Sequence, residues 1–255
     1  MRLSVVLATY NEQDNIAACL DTVKGWCDEI VVVDGGSKDL TVRLAKQYTA
    51  RIIETDNPQI FHINKQKAID AAGGDWILQL DADERVTSQL KTEIDSTIKK
   101  TEYNGFWIPR KNFFLGRFLM KGGIYPDYTL RLYRKGKGRL PQKDVHEQAV
   151  VLGKTAQLSS PLLHYADMTF SRFWIRHNRY TDLMARQLLD MGKSYSILRG
   201  IEYLLIKPIY WFFLAYFRHK GFLDSWQGFV FALFLGLRFP ESYIKFIRNY
   251  ARWTS

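Results

Sequence analysis

The first hundred residues alternate between short apolar runs and amphipathic stretches. The apolar runs have strand length and lack polar alternation, which is typical of strands buried on both faces of a parallel sheet. The stretches between them have helical spacing and end at Gly or at polar turn residues. The pattern predicts strands at 3–9, 29–34, 51–54 and 76–80, and helices at 16–23, 39–48, 62–72 and 88–99. Repeated strand–helix–strand units predict an α/β fold with a mostly parallel, doubly wound sheet.

The pattern is looser between residues 105 and 163, and it becomes helical after His164. Short strands are predicted at 106–108, 130–133 and 157–162. Helical stretches follow at 170–189, 201–217, 222–237 and 242–253. We expect Lys207 and Pro208 to break the second of these helices, and Gly228 and Gly236 to break the third. The sequence therefore predicts a domain of residues 1–165 and a C-terminal helical region of residues 166–255.

Basic and aromatic residues are concentrated in this C-terminal region. Residues 166–255 hold 13 Lys and Arg against 6 Asp and Glu, and 22 of the 37 aromatic residues. Spanning a bilayer takes about 20 mainly apolar residues. Glu202, Lys207 and Gln227 interrupt the two longest apolar stretches. We therefore expect amphipathic helices that lie on a membrane surface and contact anionic lipids. A helical subdomain packed on the sheet and a re-entrant hairpin are the alternatives.

The cysteines, the N-terminus and the net charge bear on compartment and partners. Cys19 and Cys27 give neither a metal spacing nor a disulfide framework, which favours a reducing compartment. The N-terminal apolar run lacks the length and cleavage site of a signal peptide. We expect a cytoplasmic protein associated peripherally with the inner face of the cytoplasmic membrane.

A net charge of +10 alone would suit nucleic acid. The aromatic residues form apolar runs rather than spaced stacking positions, so no nucleic-acid partner is expected.

Polar residues directly follow three of the predicted strands. They lie at 9–12 after the first strand, at Asp34 at the end of the second, and at 81–83 after the fourth. Ligands of open parallel sheets bind at the carboxyl ends of the strands. The order along the chain therefore predicts that these three groups meet at one edge of the sheet.

The groups at 34 and 81–83 contain aspartates that could bind a ligand. Asp81 and Asp83 are separated by one small residue and could hold Mg²⁺ or Mn²⁺, with phosphate oxygens and water completing the shell. Asp83 as a helix N-cap is the alternative. Asp34 could accept the ring N–H of a uracil or a ribose hydroxyl. The alternative is a turn in which Asp34 accepts the amides of Gly36 or Ser37.

Taken together, the motifs resemble the family-2 glycosyltransferases of the GT-A fold. The resemblance rests on LSVVLATYNE, EIVVVDGGSKDLT and NKQKAIDAAGGDWILQLDADE, and it covers roughly residues 1–165. The segments PDYTLRLYRKGKGRL, DVHE, LLHY and KPIYWFFLAYFRHKGFLDSWQGFVFA are similar to bacterial enzymes that extend lipopolysaccharide core or related cell-surface saccharides.

The resemblance implies roles for individual residues. Thr9, Asn11 and Glu12 would line the nucleoside pocket and Asp34 would hold the base. Asp81 would face the ribose or the metal, and Asp83 would bind the metal. Lys65, in the helix before the fourth strand, would approach the donor, with a solvated helix face as the alternative.

The resemblance also implies an inverting displacement, which needs a general base beside the acceptor hydroxyl. Glu147 matches the family's catalytic carboxylate. The chain has His-Glu where many members have Glu-Asp, so Asp144 and Asp127 remain alternatives.

Three further residues near these motifs could contact the metal or the donor. His146 could be a metal or phosphate ligand, or a structural histidine. Arg131 and Arg134 flank an apolar strand and could clamp the diphosphate, or form a basic edge strand.

The function expected from these observations is a metal-dependent transfer of a sugar. The donor would be a UDP-sugar, with glucose favoured by the resemblance, and the acceptor a lipid-linked or lipopolysaccharide saccharide. A nucleotidyltransferase would carry a Gly-rich loop and a Lys after the first strand, where this chain has ATYNEQDN. A non-catalytic membrane-binding scaffold is the remaining alternative.

Overall fold

The structure is a computed structural model that describes residues 1–49, 51–58, 60–141, 148–192 and 196–254. The chain forms two compact units. The first comprises Met1–Lys111 and Asp127–His164, and the second comprises Asn112–Pro126 and Tyr165–Ser255. The second unit thus includes residues 112–126 and Tyr165, which the expected boundary at residue 165 assigned to the first.

Strands and short helices alternate through the N-terminal part of the chain. The order is β1 (Leu3–Thr9), α1 (Ile16–Asp21), β2 (Glu29–Asp34), α2 (Thr41–Ala45), β3 (Ile52–Glu54), α3 (His62–Ala71), β4 (Trp76–Leu80), β5 (Glu84–Val86) and α4 (Ser88–Lys99). There follow β6 (Gly105–Phe114), β7 (Arg117–Phe118), β8 (Asp127–Arg134), β9 (Gly138–Arg139), β10 (Val150–Val151), β11 (Thr155–Gln157) and β12 (Leu162–Asp167).

The main sheet has the strand order β3-β2-β1-β4-β8-β6-β12-β5. Strands β3, β2, β1 and β4 are parallel, whereas β8 is antiparallel to β4 and β6 is antiparallel to β8. The sheet is covered on both faces, because β1 sends Leu3, Val5 and Leu7 into one buried apolar cluster and Val6 into another. This confirms the predicted α/β, Rossmann-like fold, with a sheet that is mixed rather than mostly parallel.

Several elements have the predicted bounds, and others differ by a few residues. Strands β1, β2 and β4 and helix α4 begin and end where the pattern predicts. Helices α1 and α2 are shorter than predicted, because the chain turns at 22–27 and 46–48. Strands β6 and β8 are longer than predicted, since polar residues such as Arg110 and Asp127 pair across them.

The second unit is mainly helical. Its helices are α5 (Phe170–Asp190), α6 (Ile197–Ile201), α7 (Lys207–Phe213) and α8 (Ser225–Thr254). π-helical turns at Glu202–Ile206 and Leu214–Arg218 follow α6 and α7, so the chain is helical without interruption from Ile197 to Arg218. Residues 112–126 belong to this unit because Phe114 and Leu119 pack in one cluster with Phe173. The carboxylate of the buried Asp224 also accepts the amides of Met120 and Lys121, at 2.9 and 2.7 Å.

The predicted helix breaks are wrong. Pro208 lies inside the continuous helical segment, two residues after the π-helical turn at Glu202–Ile206. Gly228 and Gly236 lie inside α8, and each allows close approach of another backbone. A Cβ at Gly228 would lie 1.9 Å from the Gly221 oxygen, and one at Gly236 would lie 2.6 Å from the Pro208 oxygen. Residues 225–237 and the segment predicted at 242–253 are parts of one long helix, α8.

The length and hydropathy of the helices bear on the membrane prediction. Within the described ranges, no helix combines the length and the hydropathy that crossing a bilayer requires. The association of the amphipathic helices with a membrane surface stays a prediction.

Candidate active site

The carboxyl ends of β2, β1 and β4 lie at one edge of the sheet. Strand β1 is parallel to both neighbours, with Thr9 opposite Asp34 and Leu7 opposite Leu80. Asp34 and Asp81 are therefore two strand spacings apart at the same edge, about 10 Å by the usual separation of strands. The edge predicted from the order of the motifs exists in the fold.

Asp34 organises the turn after β2. Its buried carboxylate accepts four hydrogen bonds. Oδ1 accepts the hydroxyls of Thr9 (3.1 Å) and Ser37 (2.6 Å), and Oδ2 accepts the amides of Gly36 (3.0 Å) and Ser37 (2.7 Å). This is the turn geometry that the sequence left open as an alternative. Contact of Asp34 with a nucleobase stays a prediction.

Asn11 and Glu12 join the loop after β1 to the loop after β2. Asn11 has a positive φ of 52°, which Asn adopts more readily than most residues. Its amide donates to the Ser37 hydroxyl at 2.8 Å, and its side-chain oxygen accepts the Lys38 amide at 2.9 Å. The Glu12 amide donates to the Thr41 hydroxyl at 2.7 Å. The loops expected to line the nucleoside pocket are thus fixed to each other.

Asp81 is paired with two cations. Its Oδ1 meets the ammonium of Lys65 and its Oδ2 meets the guanidinium of Arg131. Burial raises the pKa of Asp81, but the charges of Arg131 and Lys65 outweigh burial and hold that pKa well below its usual range. Lys65 therefore lies at the site and is only 9% exposed, rather than on a solvated helix face.

The ion pairs continue from Arg131 through two residues that the sequence analysis did not single out. The Arg131 guanidinium lies 2.7 Å from the fully buried carboxylate of Glu84. Arg110 lies 3.6 Å from the same carboxylate and 2.8 Å from Asp127. Arg131 thus reaches the site but is held by carboxylates of the protein. The one sequence signal for Glu84 was its position directly after Asp83.

Asp83 has a different partner, the imidazole of His164. Strand β12 is antiparallel to β5 with His164 opposite Glu84, which brings the His164 Nε2 to 3.4 Å from the Asp83 Oδ2. Burial raises the pKa of Asp83, but the hydrogen bond and charge of His164 outweigh burial, and the net pKa is lowered. Both side chains remain partly exposed, at 21% and 12%.

The Asp83–His164 pair has the spacing of two adjacent ligands of one ion. In octahedral coordination with bonds of 2.0–2.1 Å, neighbouring ligand atoms lie about 3 Å apart. A carboxylate oxygen and an imidazole nitrogen together suit Mn²⁺ and related divalent ions. Among the described residues, no third His, Cys, Asp or Glu joins them. The remaining positions fit phosphate oxygens and water. Asp81, which is already paired with Lys65 and Arg131, is the poorer ligand of the two aspartates.

Other predicted site residues lie elsewhere or outside the described residues. The expectation that Arg134 joins the diphosphate site is corrected, because Arg134 pairs with Trp76 at the opposite end of β4 from Asp81. Its guanidinium stacks over the Trp76 ring at 4.7 Å and donates to the Thr101 oxygen at 2.9 Å. The expected base Glu147, its alternative Asp144, and the possible ligand His146 lie outside the described residues. The carboxylate of Asp127, the other alternative, is paired with Arg110.

Comparison with protein-family models decides the family. Residues 4–151, more than half of the chain, match the model described as glycosyl transferase family 2. The chain belongs to this glycosyltransferase family. The match includes both strand-end loops, Asp81, Asp83 and the strand that carries Arg131. It sets aside the nucleotidyltransferase alternative.

Relatives extend the similarity beyond the family model. A lipopolysaccharide core biosynthesis glycosyltransferase, LpsC of Rhizobium meliloti, is 29% identical over 249 residues, which cover 90% of this chain and 88% of LpsC. An uncharacterised glycosyltransferase of Rickettsia felis is 29% identical over 280 residues, covering 100% of this chain and 96% of the relative.

Solved structures bear out the fold of this glycosyltransferase. A mannosyltransferase of Pyrobaculum calidifontis, solved with GDP-Man and Mn²⁺, has a TM-score of 0.56 at 14% identity, covering 96% of this chain and 87% of the other. S. aureus TarS 1-349, solved with UDP-GlcNAc, has a TM-score of 0.51 at 16% identity, covering 91% and 80%. Identities this low establish a shared GT-A fold alone.

Proposed function

We propose that this family-2 glycosyltransferase is an inverting, metal-dependent enzyme. It moves a sugar from a UDP-sugar, with glucose favoured, to a lipid-linked saccharide such as lipopolysaccharide core. The observation that carries the proposal is the Asp83–His164 pair, which has ligand spacing beside the neutralised Asp81. The lipopolysaccharide acceptor is supported by the name of the relative LpsC.

The divalent ion, Mn²⁺ or Mg²⁺, would be held by Asp83 and His164. When bound, such an ion offsets the negative charge that grows on the leaving diphosphate. A solved neighbour contains GDP-Man and Mn²⁺, which supports the choice of metal and of a nucleotide-sugar donor.

Residues at the sheet edge would then bind the donor and the acceptor. Thr9, Asn11, Glu12 and Asp34 would shape the nucleoside pocket through the loops they fix. Lys65 and Arg131 would hold Asp81 toward the ribose. Glu147 would take the proton of the acceptor hydroxyl as the resemblance implies, with Asp144 and Asp127 as alternatives.

The place of action follows from the acceptor. The nucleotide-sugar donor and the lipid-linked saccharide acceptor come together at the cytoplasmic face of a membrane. We therefore place the enzyme in the cytoplasm, bound peripherally to anionic lipids of the inner face, with no nucleic-acid partner.

The test is a transfer assay with the purified chain, bacterial membranes and radiolabelled nucleotide sugars. We expect transfer or slow donor hydrolysis with one UDP-sugar in the presence of Mn²⁺, and loss of both with EDTA. Turnover that is unchanged in EDTA would reject the requirement for a divalent metal. No turnover of any nucleotide sugar by a well-folded sample would reject the proposal and favour a non-catalytic scaffold.

A further inference from the structure

The helical segment from Ile197 to Arg218 exposes an unusual number of apolar side chains. Ten of them are at least 42% exposed. Six of the ten recur at every fourth position, and we refer to these six as the outer row: Ile197, Ile201, Leu205, Ile209, Phe213 and Phe217. Single exposed apolar residues are common on protein surfaces, but a contiguous stripe marks an interaction surface.

The opposite side of the same segment is packed. Tyr203, Lys207, Trp211 and Ala215 also recur at every fourth position, two residues out of step with the outer row. Tyr203 stacks on Tyr243 at 5.5 Å and Trp211 on Phe239 at 5.9 Å, both of which belong to α8. Ala215 is fully buried. The segment therefore has an inner face fixed on α8 and an outer row that faces away from it.

The two π-helical turns keep the outer row straight. A row with a spacing of four needs a quarter of a turn per residue, whereas an α-helix advances about 100° per residue. A π-helical turn holds about 4.4 residues and advances about 82° per residue. In an α-helix throughout, the row would wind about 200° around the axis between Ile197 and Phe217, whereas the mixed helix lets it wind about 40°.

Two backbone hydrogen bonds support these π-helical turns. The Lys207 amide donates to the Glu202 oxygen, and the His219 amide donates to the Leu214 oxygen at 2.9 Å, each reaching five residues back. π-helical turns are rare and frequently mark functional positions. Here their effect is to keep the outer row on the side of the segment opposite Tyr203 and Trp211, which stack on α8.

The charges beside the outer row indicate what covers it. Arg218 and Lys220 are exposed directly after the row, next to exposed Phe222 and Trp226. Glu202 is paired with Lys207 at 2.8 Å, so it leaves little negative charge beside the row. Apolar side chains beside exposed cations and aromatic rings form the surface by which interfacial helices bind anionic lipid.

We propose that the outer row is the surface by which this enzyme docks on an anionic lipid bilayer, lying in the headgroup layer with Arg218 and Lys220 on lipid phosphates. The inference deepens the proposed function, since it names the surface that brings the enzyme to a lipid-linked acceptor. Its physical basis is separate from the donor and metal chemistry.

The first test is co-flotation with vesicles of phosphatidylcholine alone or mixed with phosphatidylglycerol, without nucleotide. The test variant carries Leu205→Ser, Ile209→Ser and Phe213→Ser. The matched control carries Leu152→Ser, Ile175→Ser and Met191→Ser, which remove apolar side chains elsewhere that are even more exposed. We expect the test variant to bind anionic vesicles at least about tenfold more weakly than wild type, and the control to bind as wild type does.

Charge is tested by Arg218→Gln with Lys220→Gln. We expect this variant to lose most of the preference for phosphatidylglycerol while it keeps its binding to phosphatidylcholine. Wild type that does not float with anionic vesicles, or an outer-row variant that floats as wild type does, would overturn the proposal. Lipid-free dimers that the outer-row substitutions dissociate would also overturn it, because a second copy would then cover the row.

A label scan tests the spacing. In a Cys27→Ser background, single cysteines at each exposed position from 201 to 217 are labelled with a polarity-sensitive dye and quenched by brominated lipid. Quenching with a period of four supports the straight row, and a period of 3.6 contradicts it.

Donor hydrolysis in lipid-free solution separates this proposal from the proposed function. The outer-row variant should keep the wild-type rate. If hydrolysis is absent in every sample but vesicle binding depends on the outer row, the transferase proposal fails and the docking surface stands.

Discussion

The His164 Nε2 lies 3.4 Å from the Asp83 Oδ2, and the pairing of β12 with β5 fixes this distance. Neighbouring Asp81 is neutralised by Lys65 and Arg131. The two aspartates of one short motif therefore have different electrostatic surroundings. One is part of the protein's own ion-pair network, and the other faces the imidazole of His164.

The first prediction concerns metal binding at this pair. Asp83→Asn removes the charged oxygen ligand, so the affinity for Mn²⁺ should fall about 100-fold, with transfer lost in parallel. Titration calorimetry with Mn²⁺ in the presence of UDP measures the affinity directly.

The matched control for Asp83→Asn is the same change at Asp190, an exposed carboxylate at the end of α5. It should bind Mn²⁺ as wild type does. Equal Mn²⁺ affinity in Asp83→Asn and wild type would remove Asp83 from the metal site.

A second prediction concerns the ion pair between Arg131 and Glu84. Both side chains are almost fully buried, with 8% and 0% exposed. Arg131→Ala would leave Glu84 with Arg110 at 3.6 Å as its remaining side-chain cation among the described residues. We expect the free energy of unfolding to fall by about 3–5 kcal/mol, as for other buried pairs that lose one partner.

The two residues should be coupled in a double-mutant cycle. Arg131→Ala with Glu84→Gln should cost clearly less than the sum of the single changes, because the double variant has no uncompensated carboxylate. Urea unfolding followed by circular dichroism gives the three values, and strict additivity would show that the pair does not act as a unit.

The third prediction concerns acid stability and rests on Glu29. Its carboxylate accepts the Ser4 hydroxyl at 2.5 Å and the Gly73 amide at 2.7 Å, and it pairs with Arg51. Burial raises the pKa of Glu29, but these hydrogen bonds and the Arg51 charge outweigh burial, and the net pKa is lowered. A lowered folded-state pKa contributes stability above the ordinary pKa of Glu, which is lost as the pH falls through the folded-state value.

Glu29→Gln should therefore lower the free energy of unfolding by about 2 kcal/mol at pH 7, since charged hydrogen bonds are lost. It should also flatten the loss of stability below about pH 4.3, the ordinary pKa of Glu. Unfolding curves between pH 3 and pH 7 measure both effects. A variant with the acid slope of wild type would assign that slope to other carboxylates.

The fourth prediction concerns the segment 112–126. Asp224 is 2% exposed and accepts the amides of Met120 and Lys121. Asp224→Ala should leave those amides without acceptors, so their hydrogen exchange should be at least about tenfold faster. Exchange measured by mass spectrometry on peptides covering 112–126 tests this, with Asp190→Ala as the control. Unchanged exchange would mean that other contacts, such as the aromatic contacts of Phe114 and the bond from the Gly122 amide to the His219 oxygen, hold the segment.

The strand ends that bring Asp34 and Asp81 to one edge could be predicted because they depend on local pattern. Continuous apolar runs end at Asp34 and before Asp81, and parallel strands bring such ends to one edge. The family resemblance rests on the same residues, and the family match confirms it.

The partner of Asp83 could not be predicted in the same way. His164 reaches Asp83 through an antiparallel pairing between strands far apart along the chain, and no local pattern encodes that register. The misplacement of Arg134 has the same origin. Arg131 and Arg134 lie three residues apart on β8, and antiparallel pairing with β4 sends the first toward Asp81 and the second toward Trp76.

The predicted helix breaks were wrong for a different reason. Gly and Pro disfavour helices as single residues, but packing between helices outweighs that preference where a side chain would collide with a neighbouring backbone, as at Gly228 and Gly236.

The ion-pair network has a kinetic consequence. Counting only the described side chains, the chain of contacts from Lys65 to Asp127 balances three cations against three carboxylates. With a neutral imidazole at His164, which is the form that can bind a metal, Asp83 adds one negative charge, so a nucleoside diphosphate that arrives alone meets repulsion at the position its phosphates would occupy. The metal should therefore enter before the donor or together with it, and the donor's association rate should rise steeply as Mn²⁺ fills the site.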